Sequence, residues 1–155
     1  MGQTKQFEDM EVWQAAKQVV LEVYRLTRDG ALAKDYGFKE QLQRAAVSIM
    51  ANIADGYERG GNRELIQFLY IAKGSAAETR SLVHAGKDLG YLSGEQPARL
   101  LDELISIGRQ LGGFIRYLEK GPPPPLRGGG ESRPKMEEER LSRQPPFREG
   151  GARPA

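Results

Sequence analysis

The sequence predicts an all-α fold: an antiparallel up-down-up-down four-helix bundle over residues 1–120, followed by a disordered Pro/Gly/Arg-rich tail over residues 121–155. Three observations carry this reading. Apolar residues recur at helical spacing in four separate segments, glycine-bearing steps divide those segments, and no stretch has a strand pattern. The composition also changes at Lys120. Before it proline occurs once, at Pro97, whereas Gly121-Pro122-Pro123-Pro124-Pro125 and Gly128-Gly129-Gly130 follow it. Such a tail holds too few apolar side chains to offset the entropy of ordering it.

The first helix is predicted from about Asp9 to Arg28, with Val12, Ala15, Ala16, Val19, Val23 and Leu26 on one face and Asp29-Gly30 as the stop. The second runs from about Tyr36 to Arg59 behind Asp35 as N-cap, with Phe38, Leu42, Ala45, Ala46, Ile49 and Ile53 facing the core. Gly60-Gly61 breaks it, and Asn62 is expected to cap a third helix that reaches about Leu89. Gly90 ends that helix, and Ser93 with Gln96 has the spacing of a capping box for the fourth. The fourth helix buries Leu100, Leu104, Ile107, Leu111, Phe114 and Leu118. Short connections between helices of roughly 30–40 Å make sequential neighbours antiparallel.

Charge and chemistry narrow the function. Residues 1–120 carry 16 basic and 16 acidic side chains, so the net charge of +2 sits in the tail. A neutral body argues against coating nucleic acid by bulk charge and leaves room for a local basic patch. With no cysteine, disulfides and thiolate chemistry are excluded. His84 is the only histidine, too few for a di-iron bundle, and no catalytic or metal constellation surrounds it. The expectation is therefore a non-enzymatic protein without cofactor or metal. No apolar run is long enough to span a membrane and no signal peptide opens the chain, so the expected compartment is the cytoplasm.

Three sets of residues stand out. Trp13, Val20 and Tyr24 on the first helix, Ile66 and Tyr70 on the third, and Leu101, Ile105, Gly108 and Gly112 on the fourth widen the apolar arcs beyond what a bundle core needs. These are expected to form a homo-oligomer interface, with the glycines admitting another helix. Arg44, Ser48, Asn52 and Asp55 form a polar lane on the second helix. Folding back around Gly60-Gly61 should bring it to Ser75 and Glu78, pairing Arg44 with Glu78 in a structural polar network. Arg59 and Arg63 bracket the turn, and Lys73, Arg80 and Lys87 recur every seven residues. Together these five are the candidate phosphate contacts.

The stretch from Gln41 to Gly56 (QLQRAAVSIMANIADG) and the later Phe68-Leu69-Tyr70-Ile71-Ala72-Lys73-Gly74-Ser75 with Glu78 resemble the 23S rRNA-intervening sequence protein family. Val12-Trp13-Gln14-Ala15-Ala16 and Leu89-Gly90-Tyr91-Leu92 fit the same pattern. A Phe-Pro element usual between the first two helices is absent, and Ala31-Leu32-Ala33 stands there. The resemblance implies a homopentameric four-helix bundle. It also implies kinship with accessory variability proteins of diversity-generating retroelements, which bind nucleic acid and a reverse transcriptase. The function expected is an oligomeric accessory or adaptor protein that contacts RNA or DNA, with a reverse transcriptase as prospective partner. The alternative is a structural protein-interaction oligomer with no nucleic-acid role.

Overall fold

The computed structural model describes residues 6–121, and the tail expected to be disordered lies outside the described residues from Pro122 onward. The described residues hold five α-helices and one 3-10 turn, with no strand. The 3-10 turn Phe7–Asp9 is closed by the Gln6 backbone N–H donating to Asp9 Oδ2 at 3.1 Å. It leads into α1 (Glu11–Leu26), α2 (Gly30–Lys34), α3 (Tyr36–Glu58), α4 (Asn62–Asp88) and α5 (Glu95–Glu119).

α1 buries Val12, Ala16, Val19, Val20 and Val23 along one stripe. Its end is held by Thr27, 1% exposed, whose Oγ1 donates to the Val23 carbonyl at 2.8 Å and accepts from Gln43 Nε2 at 2.9 Å. That second bond ties the end of α1 to α3. The five-residue α2 was not foreseen. Ala31-Leu32-Ala33 closes one helical turn and sinks Leu32, 1% exposed, into the core. Leu32 is the apolar plug of this connection.

Asp35 caps α3 as expected, its Oδ1 accepting from the Phe38 N–H at 3.1 Å. The other two predicted caps do not form. Asn62 is the first residue of α4 behind an N-cap at Gly61, and Gly94 rather than Ser93 precedes α5. Neither N-cap position carries a side-chain cap bond. Pro97 falls in the first turn of α5, where its missing N–H has no intrahelical partner to lose. α4 ends in a Schellman motif. Gly90, at φ +76, sends its N–H to the Lys87 carbonyl at 3.1 Å, and the Tyr91 N–H reaches the Gly86 carbonyl at 2.9 Å.

The long helices pack in the sequence α1 with α3, α3 with α4, α4 with α5, and α5 with α1. α3 and α4 run antiparallel: Ser48 Oγ meets Ser75 Oγ at 2.8 Å, and nearer the turn Gly56 lies against Leu65 and Phe68. The core is one cluster including Val19, Leu42, Ile49, Ile53, Leu69, Leu104, Ile107 and Leu111, each fully buried. Tyr91 closes one end, its hydroxyl donating to Asp35 Oδ2 at 2.8 Å and its ring meeting Phe38 edge-on at 5.6 Å.

Three residues expected as surplus apolar surface belong to this core. Val20, Ile66 and Leu101 are 9%, 8% and 8% exposed within the single chain. Helix packing covers a wider arc than a minimal stripe because each long helix touches two neighbours. Trp13 is half-buried and stacks edge-on against Phe7 at 5.2 Å. Tyr70 is also half-buried. Of the large residues in that set, only Tyr24 stands well out, at 47% exposed. No helix of the described residues is long and apolar enough to cross a membrane.

Candidate functional site

The most distinctive surface feature is a groove of about 540 Å³ between α4 and α5. Its floor is apolar, from Ala76 and Ala77 on α4 and Leu104 and Ile105 on α5. Its walls carry Lys73 and Arg80 from α4 and Arg109 and Arg116 from α5. No carboxylate is among its lining residues. None of these four cations takes part in the ion pairs of the described residues, which involve Arg25, Arg44, Arg59 and Arg99.

Helix geometry explains the arrangement. Lys73 and Arg80 are seven residues apart, two turns and about 10 Å along α4, and so share a face. Arg109 and Arg116 have the same separation on α5. The antiparallel register, marked by the Tyr70 hydroxyl donating to Glu119 Oε1 at 2.9 Å, sets Arg116 against Lys73 and Arg109 toward Arg80. Burial, and then the hydrogen bond to Glu119 and its charge, push the Tyr70 hydroxyl above its ordinary pKa and keep it a donor.

The α5 glycines open the groove. Nothing lies within 4 Å of where a Cβ on Gly108 would stand. At Gly112 the nearest atoms are Arg116 Nη1 at 3.4 Å and Lys73 Nζ at 3.7 Å from that point. The sequence led us to expect another helix against these glycines. In the folded chain Gly108 faces open space and Gly112 is covered by two cationic side-chain ends. Those ends converge although like charges repel, and an anion between them would relieve the repulsion. Arg80 Nε is buried with no hydrogen-bond partner among the described residues, which leaves a donor unsatisfied beside the groove.

The remaining predicted contacts lie elsewhere. Arg59 is engaged locally, donating to Asp55 Oδ1 at 3.1 Å with its guanidinium 4.7 Å from the Phe68 ring centre. Arg63 is half-buried at the start of α4, and Lys87 is exposed two turns beyond Arg80. Neither lines the groove. Arg109 and Arg116 escaped the sequence reading, although their seven-residue spacing beside the glycine lane was a signal that could have found them.

The polar lane resolves into separate pieces. Asn52 Nδ2 donates to the Ser48 carbonyl at 2.7 Å and to Ser48 Oγ at 2.9 Å, and Thr79 Oγ1 donates to the Ser75 carbonyl at 2.7 Å. These bonds stay within α3 and within α4, and the Ser48–Ser75 contact is the one among them that crosses between the two helices. The predicted Arg44–Glu78 pair does not form. Arg44 binds Glu40 one turn away at 2.7 Å, with both side chains exposed, while Glu78 shares a hollow of about 320 Å³ with them. A partner one turn back on the same helix needs no interhelical reach, so it wins. A smaller hollow on the α1–α5 side holds Glu22, Arg99 and Glu103. Burial first, then the charge of Glu22, raises the Glu103 carboxyl. Among the described residues no group of three or more His, Cys, Asp or Glu side chains could hold a metal ion.

Fold and surface together define a small all-helical protein that displays polar and cationic residues in grooves between packed helices. Residues 8–113 match the 23S rRNA-intervening sequence protein family, and the chain belongs to that family. Its fold is similar to the crystal structure of a protein of unknown function from the S23 ribosomal protein family of Bacteroides thetaiotaomicron VPI-5482. The TM-score is 0.62 at 21% identity, covering 68% of this chain and 98% of that one. No curated protein matches the chain.

Proposed function

We propose that this protein is a non-enzymatic accessory protein that binds nucleic acid through the α4–α5 groove, and that its helices form an up-down-up-down bundle. One observation carries the reading: Lys73, Arg80, Arg109 and Arg116 surround a single groove from which carboxylates are absent. In a body with balanced charge, this concentrates positive potential where a phosphate backbone can reach it. Arginine suits the role, because its planar fork matches phosphate oxygens and its stem can lie on the apolar floor. The family's name, which refers to 23S rRNA, points the same way.

Fluorescence anisotropy of the full chain with labelled structured RNA and DNA, across a salt series, tests it. The expected result is micromolar binding that weakens steeply with salt and falls at least tenfold in the Arg109→Gln, Arg116→Gln double variant. Flat traces at low salt would remove the reading.

Self-association remains part of the proposal, now through a smaller surface on α1, where Leu21 is 40% and Tyr24 47% exposed. Light scattering at micromolar concentration should give a multiple of the 17.2 kDa chain mass, and a monomer mass would refute assembly.

A further inference from the structure

We infer that the α4–α5 groove takes one strand of nucleic acid rather than a duplex. This rests on the nucleic-acid reading above and narrows it. Lys73, Arg80 and Lys87 on a single helix would make a ridge, a shape that can lie along the outside of a duplex. The folded protein has instead a trough. Lys73 and Arg80 form one wall, Arg109 and Arg116 the other, and the cations face each other across an apolar floor.

Width decides which form can enter. Packed helix axes lie about 8–10 Å apart, so the slot between α4 and α5 is narrower than a duplex, whose major groove alone is about 12 Å across. One sugar-phosphate backbone can enter with cations on both sides. Along the trough the two cation pairs are about 10 Å apart, two helical turns. With two cations on each wall, one trough can neutralise a run of about four phosphates. The walls carry no aromatic residue, so contact is with the backbone and indifferent to base identity.

The test measures binding of the full chain to fluorescein-labelled single-stranded 12-mers, one deoxythymidine and one uridine, and to a 12-base-pair DNA duplex at 50 mM salt. Single strands should bind at least tenfold tighter than the duplex. The slope of log affinity against log salt should be near −3, since four neutralised phosphates contribute about −0.7 each. Gly108→Leu, which fills the trough while keeping every cation, should lower single-strand affinity at least tenfold. Lys87→Gln and Arg99→Gln, outside the trough, should change it less than twofold. Arg109→Gln gives an independent reading should the leucine variant fold poorly, with circular dichroism checking each variant. Duplex binding as tight as single-strand binding, or full affinity in both Gly108→Leu and Arg109→Gln, overturns the single-strand inference and leaves nucleic-acid binding standing. Absence of binding to every probe overturns both.

Discussion

Two glycines in long helices should respond in opposite directions to the same substitution. Replacing glycine by alanine inside a helix gains about 1 kcal/mol from reduced backbone entropy in the unfolded chain. At Gly108 nothing lies within 4 Å of the added methyl, so Gly108→Ala should realise the whole gain. At Gly56 the methyl would stand 2.6 Å from Phe68 Cβ and 3.3 Å from Leu65 Cδ1, well inside the ~3.5–4.0 Å of ordinary carbon contacts. Phe68 Cβ is one bond from its backbone and cannot swing aside, so α3 and α4 must part by about 1 Å. Overpacking costs about 1–3 kcal/mol, and this overlap belongs at the upper end. The net effect of Gly56→Ala is then a loss of about 2 kcal/mol. A midpoint shift of about 4 °C per kcal/mol suits a folded unit of this size. Gly108→Ala should therefore raise Tm by about 4 °C, and Gly56→Ala should lower it by about 8 °C. Thermal unfolding followed at 222 nm, with urea titration as a second measure, decides the matter. A Gly56→Ala protein as stable as the parent would refute the close approach of α3 and α4. A destabilised Gly108→Ala would mean that something packs on that glycine after all, a second copy of the chain being the obvious occupant.

Other outcomes follow from the polar contacts. Hydrogen bonds from the Tyr91 hydroxyl and then the Phe38 N–H hold the Asp35 carboxyl below its ordinary 3.8. A lowered carboxylate pKa means stability present above the unfolded value and lost as pH falls through the folded one. Asp35 in turn raises the Tyr91 hydroxyl above its ordinary 10.0, foremost by accepting its hydrogen bond, so the same contact fails again in strong alkali. Tyr91→Phe should thus lower Tm at neutral pH, and its difference from the parent should close as acid protonates Asp35. A difference unchanged at pH 2 would discount the bond. Ser75→Ala, which removes the buried hydroxyl meeting Ser48, should cost about 1 kcal/mol. Arg44→Ala, which breaks an exposed pair, should stay within about 0.5 kcal/mol. Urea midpoints in the reverse order would restore the interhelical network that the sequence suggested.

Much of the architecture was legible in the chain itself. The four long helices end within a few residues of the positions predicted from spacing and glycines. Helical periodicity is a short-range property, and each stripe from Val12 to Val23 or Leu42 to Ile53 announces its own buried face. Asp35 as a cap and Gly90 as a terminator are equally local, each depending on backbone groups a few residues away. The short α2 was missed because one turn is too brief to show a period, and Leu32 is buried by the fold around it.

The groove was only half legible. Lys73 and Arg80 share a face by arithmetic on one helix, but Arg109 and Arg116 join them only because α5 packs antiparallel to α4 in one register. Packing likewise moved Val20, Ile66 and Leu101 from expected interface to core, and left Arg44 with its neighbour Glu40. What each helix buries is written within about four residues of sequence. Which faces meet, and which charges are left looking at one another, depends on side chains tens of residues apart, and only the packed chain decides that.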